Sequence, residues 1–161
     1  MSLSFLMIKP DSYNRCIADT VRVDVLVLCR NYHLEVVGQW TKKLTREEVL
    51  RIYSTIREKS FFDEFMGLMV SNYSTLILVD GTDAVVKTKL IRGDCRHSNS
   101  DPMSGIRGKY CYVEDISADD WDKLLKRCHP DTERLIQIII GGVLHAPDSE
   151  QEVQPTLAVF N

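Results

Sequence analysis

The chain has 161 residues, 44% hydrophobic and 27% charged, with a formal net charge of −3. That length suits one domain with a real core, spanning residues 1–161, and the lack of a basic excess argues against a stable nucleic-acid complex. Five cysteines (Cys16, Cys29, Cys95, Cys111 and Cys128) stand at irregular spacing without a CxxC pair, which argues against a disulfide framework or structural zinc and fits a reducing, cytoplasmic compartment.

Taken in chain order, MSLSFLMIKPD has no basic leader and breaks at Pro10, so residues 3–8 read as a buried strand rather than a signal peptide. No apolar run approaches the roughly 20 residues a membrane helix needs. Ile17, Val21, Val25 and Leu28 at helical spacing predict a helix over 16–30, and LEVVGQW, 34–40, a second strand weakened by Gly38. Thr45 with Glu48 three residues on is a capping box that opens a helix to about Arg57. A short helix is expected over 63–70, the clearest strand at STLILVD, 74–80, and another helix over 83–91. Residues 92–110 read as a long polar loop, of the kind that is usually functional or disordered. SADDWDKLLKRC, 117–128, predicts an amphipathic helix with Ser117 as N-cap, acids first and bases last. LIQIIIGGVLH, 135–145, reads as a last strand entering His145, and Pro155 limits any helix after it. The order is βαββαβ with decorations: an α+β, ferredoxin-like topology with a four-stranded antiparallel sheet and an inserted helix near 117–128.

Four histidines are present: His33, His97, His129 and His145. His145 ends an apolar run before Pro147, Asp148 and Ser149, and alone it reads as a core residue as readily as a catalytic one. Lys9 closes a buried strand, where a lysine is usually just solvated. Lys89, Arg92, Arg96, Arg107 and Lys109 gather in and around the polar loop. They make either a solvated surface or a clamp for phosphate oxygens, which suit guanidinium forks and ammonium groups. No Walker-type GxxxxGK[ST] is present. Phe61 and Phe62 beside Tyr53 serve the core, or one of them stacks on a base.

Together these pieces resemble the nucleoside diphosphate kinase family. FLMIKPDSYNRC is similar to its opening strand with the IKPD signature, and YSTIREKSFF to its tyrosine-to-double-phenylalanine segment. LILVDG and GIRGKY resemble its third strand and its IRGD[FY] motif. VLHAPDSEQEV resembles its active-site [IV]IH[GA]SDS segment. The resemblance implies that Lys9 and Arg107 contact phosphate, that Tyr53 is the active-site tyrosine, that Phe61 stacks on the base and that His145 becomes phosphohistidine. In register, Lys89 stands for a phosphate-binding arginine and Cys95 for a phosphate-binding threonine. Gly142 replaces an asparagine that contacts the ribose, and Pro147 a serine. Without a gap in the tail, Thr156 replaces a glutamate that orients the histidine ring. The stretch from Arg107 to His145 is far longer than the usual family segment.

The implied activity is ping-pong transfer of a γ-phosphate from a nucleoside triphosphate to a nucleoside diphosphate, with Mg²⁺ bound through nucleotide phosphates and homo-oligomeric assembly. The departures imply slow activity or unusual nucleotide preference. They keep open a weak or inactive member that binds nucleotides or acts as a regulatory or scaffold protein. An RNA-recognition module shares the βαββαβ order, but an acidic chain without a visible aromatic RNP pattern argues against it.

Overall fold

β1 (Ser2–Ile8) carries the molecule's centre, with Phe5, Leu6 and Met7 wholly shielded from solvent. The structure, a computed structural model, describes residues 2–96, 101, 103–113 and 117–161, the side chains of 138 and 139 excepted. After β1 come α1 (Pro10–Asn14), α2 (Ala18–Asn31), β2 (Glu35–Lys43), α3 (Arg46–Ile52), a 3-10 turn at Ile56–Glu58, α4 (Phe62–Met69) and β3 (Tyr73–Gly81). Then follow α5 (Ala84–Arg92), α6 (Gly105–Cys111), α7 (Ala118–Leu125), α8 (Thr132–Gly141), β4 (Leu144–His145), a 3-10 turn at Glu150–Glu152 and α9 (Val153–Phe160).

Among the described residues, the strands form a four-stranded sheet in the order β2-β3-β1-β4, antiparallel at each pairing. This is the expected α+β, ferredoxin-like arrangement. Strand alternation divides the interior into two layers. Phe5, Met7 and Leu76 face a core built with Val49, Phe65, Met66, Ile136 and Leu157. Leu6, Ile8, Ile77 and Val79 face a second core with Val21, Val25, Ala84 and Ile91. β4 joins β1 through only two residue pairs, Met7 with His145 and Ile8 with Leu144, which puts His145 beside the end of β1 and Lys9.

The capping box on α3 is present: the Thr45 hydroxyl accepts from the Glu48 N–H, and the Glu48 carboxylate accepts from the Thr45 N–H. Ser117 caps α7 by accepting from the Asp120 N–H. Four expectations need correction. The helix opened by Thr45 ends at Ile52 rather than near Arg57. Residues 135–141 are helical, not strand, and only Leu144 and His145 reach the sheet. An apolar run this short suits a helix or a strand equally well, and burial against α4 decides it here. Residues 105–111 of the expected loop form α6. Pro155 does not block α9, because it sits in the first turn, where its missing N–H is no loss. His97 lies outside the described residues.

Gly93 makes the turn from α5 toward α6 possible. Its φ is +66°, and a Cβ there would lie 1.9 Å from the Ser104 carbonyl oxygen. Only glycine tolerates both the left-handed backbone and this approach. The contact lays α6, with Arg107, against the end of α5, with Arg92.

Candidate active site

The chain enters β4 through two consecutive left-handed residues, Gly142 (φ +61°) and Val143 (φ +49°), which end α8 and turn it sharply. The segment at the end of β1 and the start of α1 clamps that turn. Asp11 Oδ2 accepts from the Val143 N–H at 3.0 Å. The Lys9 N–H at 2.9 Å and the Ser12 hydroxyl at 3.1 Å both donate to the Val143 carbonyl. From the other side Arg107 Nε donates to the Leu144 carbonyl at 3.0 Å. The backbone just before His145 is thus gripped on both flanks.

The His145 ring is 8% exposed and lies near Tyr53, with centroids 4.6 Å apart, and Phe5, at 5.6 Å. Its Nε2 is buried without a hydrogen-bond partner among the described residues. Burial, then the charges of Arg107, Lys9 and Arg92, hold its pKa well below the ordinary imidazole value. The ring is therefore neutral near pH 7 and keeps a nitrogen lone pair.

Lys9 is almost wholly buried, donates to the Ile140 carbonyl and lies 5.2 Å from the Phe65 ring centroid. Burial lowers its pKa to about 8, with Asp11 opposing and Arg107 reinforcing the shift. Burial and then Arg92 lower the pKa of Arg107. Arg92 donates from Nη1 to the Ala146 carbonyl at 3.2 Å and to Asp148 Oδ1 at 3.3 Å. Arg92 Nε, Asp11 Oδ1 and the Tyr53 hydroxyl are buried without partners among the described residues, and burial pushes the Tyr53 hydroxyl far above its usual range. Cations brought this close are costly in a low-dielectric interior, and the arrangement suits a polyanion able to reach them.

The structure brings Lys9, Tyr53, Arg107 and His145 together. Gly142 belongs to the same cluster, since a Cβ there would lie 3.2 Å from Arg107 Nε. Cys95 is buried within electrostatic reach of Arg107, and burial pushes its thiol up to about 11, leaving it a weak neutral donor. Lys89 is more exposed: it sits 3.6 Å from Asp148 Oδ1, the same oxygen that Arg92 contacts. Phe61 is half-buried at the N-terminus of α4 and packs on the core. Pro147 is buried. The Thr156 hydroxyl donates back to the Glu152 carbonyl at 2.9 Å along its own helix. The sequence reading gave no role to Asp11 and no firm one to Arg92. The signal for Arg92 was its spacing, three residues after Lys89 on one helix.

The insertion between Arg107 and His145 is part of the site's wall. Leu124 of α7 and Leu135, Ile136 and Ile140 of α8 share a core with Phe65, Met66 and Met69 of α4. Polar contacts fasten it to the segment carrying Phe61. Ser60 Oγ donates to the Leu125 carbonyl at 2.8 Å, Arg127 Nε donates to the Ser60 carbonyl at 3.1 Å, and Arg127 also pairs with Glu64. Among the described residues no helix is long and apolar enough to cross a membrane, and no group of three or more His, Cys, Asp or Glu is placed to hold a metal ion.

The family model described as nucleoside diphosphate kinase matches residues 3–119. Two nucleoside diphosphate kinases match nearly the whole chain, through His145. That of Ignicoccus hospitalis is 28% identical over 99% of this chain and 88% of its own length. That of Hyperthermus butylicus is 25% identical over 98% and 89%. Among solved structures, the nucleoside diphosphate kinase of Encephalitozoon cuniculi superposes with a TM-score of 0.68 at 17% identity, over 99% of this chain and 88% of that one. The Aquifex aeolicus nucleoside diphosphate kinase gives 0.63 at 16%, over 99% and 94%. These superpositions establish the fold.

Proposed function

Because the chain belongs to the nucleoside diphosphate kinase family, we propose that it moves the γ-phosphate of a nucleoside triphosphate to a nucleoside diphosphate by way of His145. The observation that carries this reading is a neutral, buried imidazole whose Nε2 has no partner among the described residues, within electrostatic reach of Lys9, Arg107 and Arg92.

In the first half-reaction an imidazole nitrogen attacks the γ-phosphorus in line. The N–P bond forms as the bond from phosphorus to the β,γ-bridging oxygen breaks, and the diphosphate leaves with that electron pair. In the second, a terminal oxygen of another diphosphate takes the phosphoryl group and the N–P bond breaks, which gives ping-pong kinetics. Such transfer depends mainly on positioning and on stabilising charge on phosphoryl oxygens. Lys9 and Arg107 supply fixed positive charge, and the clamps on Val143 and Leu144 hold the backbone that carries the ring. Mg²⁺ bound to the nucleotide phosphates would supply further charge neutralisation. The cationic residues here suit the phosphate oxygens of that complex rather than the metal itself. Tyr53 lies beside the His145 ring, and α7 and α8 are fastened to the segment that carries Phe61. Homo-oligomeric assembly of one-domain protomers in the cytoplasm belongs to the same proposal.

Initial rates at several fixed concentrations of each nucleotide test it. Parallel double-reciprocal lines, abolished by His145→Ala, are expected. Intersecting lines, or activity that survives the substitution, contradict it. A second reading, a member that holds nucleotides without efficient transfer, is favoured by one observation: the Lys9 ammonium is engaged by the Ile140 carbonyl and Lys89 by Asp148. Nucleotide binding without turnover would select it.

A further inference from the structure

We propose that Arg92 is the residue that grips the terminal phosphate in place of Lys89, the more exposed of the two. The assignment deepens the transfer reading and rests on it. Lys89 and Arg92 lie one helical turn apart on α5 and both reach Asp148 Oδ1, but the Lys89 side chain is 43% exposed and that of Arg92 is largely buried. The Arg92 side chain is 17% exposed, and its Nη1 is seated on the carbonyl of Ala146, the residue after the nucleophile. The chain that brings Arg107 against the same helix end passes through the close contact between Gly93 and Gly105. Arg92 is therefore a guanidinium fixed through one nitrogen to the residue after His145 and within electrostatic reach of its ring.

Two features mark it as a ligand-binding group rather than a structural tie. Its Nε is buried and has no partner among the described residues, so a planar donor capacity stays unused beside the imidazole. Its other contact is Asp148, which is 62% exposed and held at 3.3 Å. A carboxylate this open is weakly bound and readily exchanged for a phosphate oxygen. The guanidinium fork matches phosphoryl oxygens in a way the ammonium of Lys89 does not. Arg92 also lies close enough to depress the pKa of both His145 and Arg107, as a cation sharing their pocket would.

The test compares the intact chain with Arg92→Gln, Arg92→Lys and Lys89→Gln, each first shown to be folded by its thermal transition. Two quantities are measured: the rapid-quench rate of labelling by γ-labelled ATP, and the affinities for Mg-ADP and for the β,γ-imido analogue of Mg-ATP. Arg92→Gln is expected to slow labelling by on the order of 10²–10³-fold. It should weaken analogue binding at least about tenfold more than diphosphate binding, with Arg92→Lys between and Lys89→Gln within roughly threefold of the intact chain. If the intact chain takes no label while Arg92→Gln still selectively weakens the analogue, the transfer reading fails and the assignment of Arg92 stands. Arg92 is overturned if its glutamine variant labels and binds like the intact chain, if both nucleotides weaken equally, or if Lys89→Gln does the greater damage. Should Arg92→Gln not fold, Arg92→Lys decides: about a tenfold loss of labelling or of analogue selectivity supports the assignment, and parity with the intact chain overturns it.

Discussion

The ammonium of Lys9 donates to the carbonyl of Ile140, so the lysine beside the proposed nucleophile is held by the last turn of the inserted helix α8. One contact thus links the candidate site to a helix beyond the residues that the family model matches.

That burial has a measurable cost. Lys9 has a pKa of about 8 in the folded chain against 10.5 for an ordinary lysine. Between those values the unfolded chain binds more protons than the folded one, so the Lys9 contribution to stability rises with pH across that window. Below pH 8 the full penalty, about 3 kcal/mol, is present. In urea titrations the unfolding free energy of the intact chain minus that of Lys9→Met should climb by about this amount from pH 8 to 10.5. A difference independent of pH contradicts the burial of a charged Lys9.

Activity should report the same two groups from the other direction. His145 is held well below its usual pKa, so kcat/KM should show no acid limb near pH 6.5 and stay level into more acidic solution. Free Lys9 loses its proton as pH rises through about 8, and kcat/KM should fall there. A pH–rate profile with an acid limb at 6.5, or one level through pH 9, contradicts this assignment.

Gly142 combines left-handed backbone with contact to Arg107. Gly142→Ala places a Cβ 3.2 Å from Arg107 Nε at φ +61°. A loss of about 1–2 kcal/mol is expected from the backbone alone, with a fall in phosphoryl transfer as Arg107 shifts. Gly142→Asn should cost less stability, because asparagine tolerates this conformation better than alanine. Denaturation midpoints and transfer rates for the pair check this, and equal stability of alanine and glycine contradicts it.

Arg127 ties the insertion to Ser60 and Glu64. Arg127→Ala should loosen α7 and α8 locally, seen as faster amide exchange in residues 118–141, while β1 and β3 keep their protection. Where opening limits nucleotide entry, kcat/KM should rise between about twofold and tenfold, the equivalent of up to roughly 1.4 kcal/mol. Unchanged exchange contradicts a latch at this position.

Much of this architecture was legible from local chemistry. Thr45 with Glu48 announced α3, and the apolar run at 76–79 announced β3. The run 135–141 misled because its β-branched residues suit a strand, although Glu133 in the first turn and Gly142 after the last are helix boundary signals. α1 was hidden by its length, with Pro10 at its first turn as the only cue. At the site, Lys9, Tyr53, Arg107 and His145 were found through resemblance. The burial of Arg92 against the Ala146 carbonyl and the greater exposure of Lys89 depend on packing between α5, α6 and β4, which no local pattern encodes.

The most direct measurement is covalent. The intact chain is mixed with γ-labelled ATP and Mg²⁺, quenched, digested, and the labelled peptide sequenced. An acid-labile, base-stable phosphate on His145, discharged by added diphosphate and absent from His145→Ala, is the predicted result. No label, or label on another residue, would contradict transfer through this imidazole.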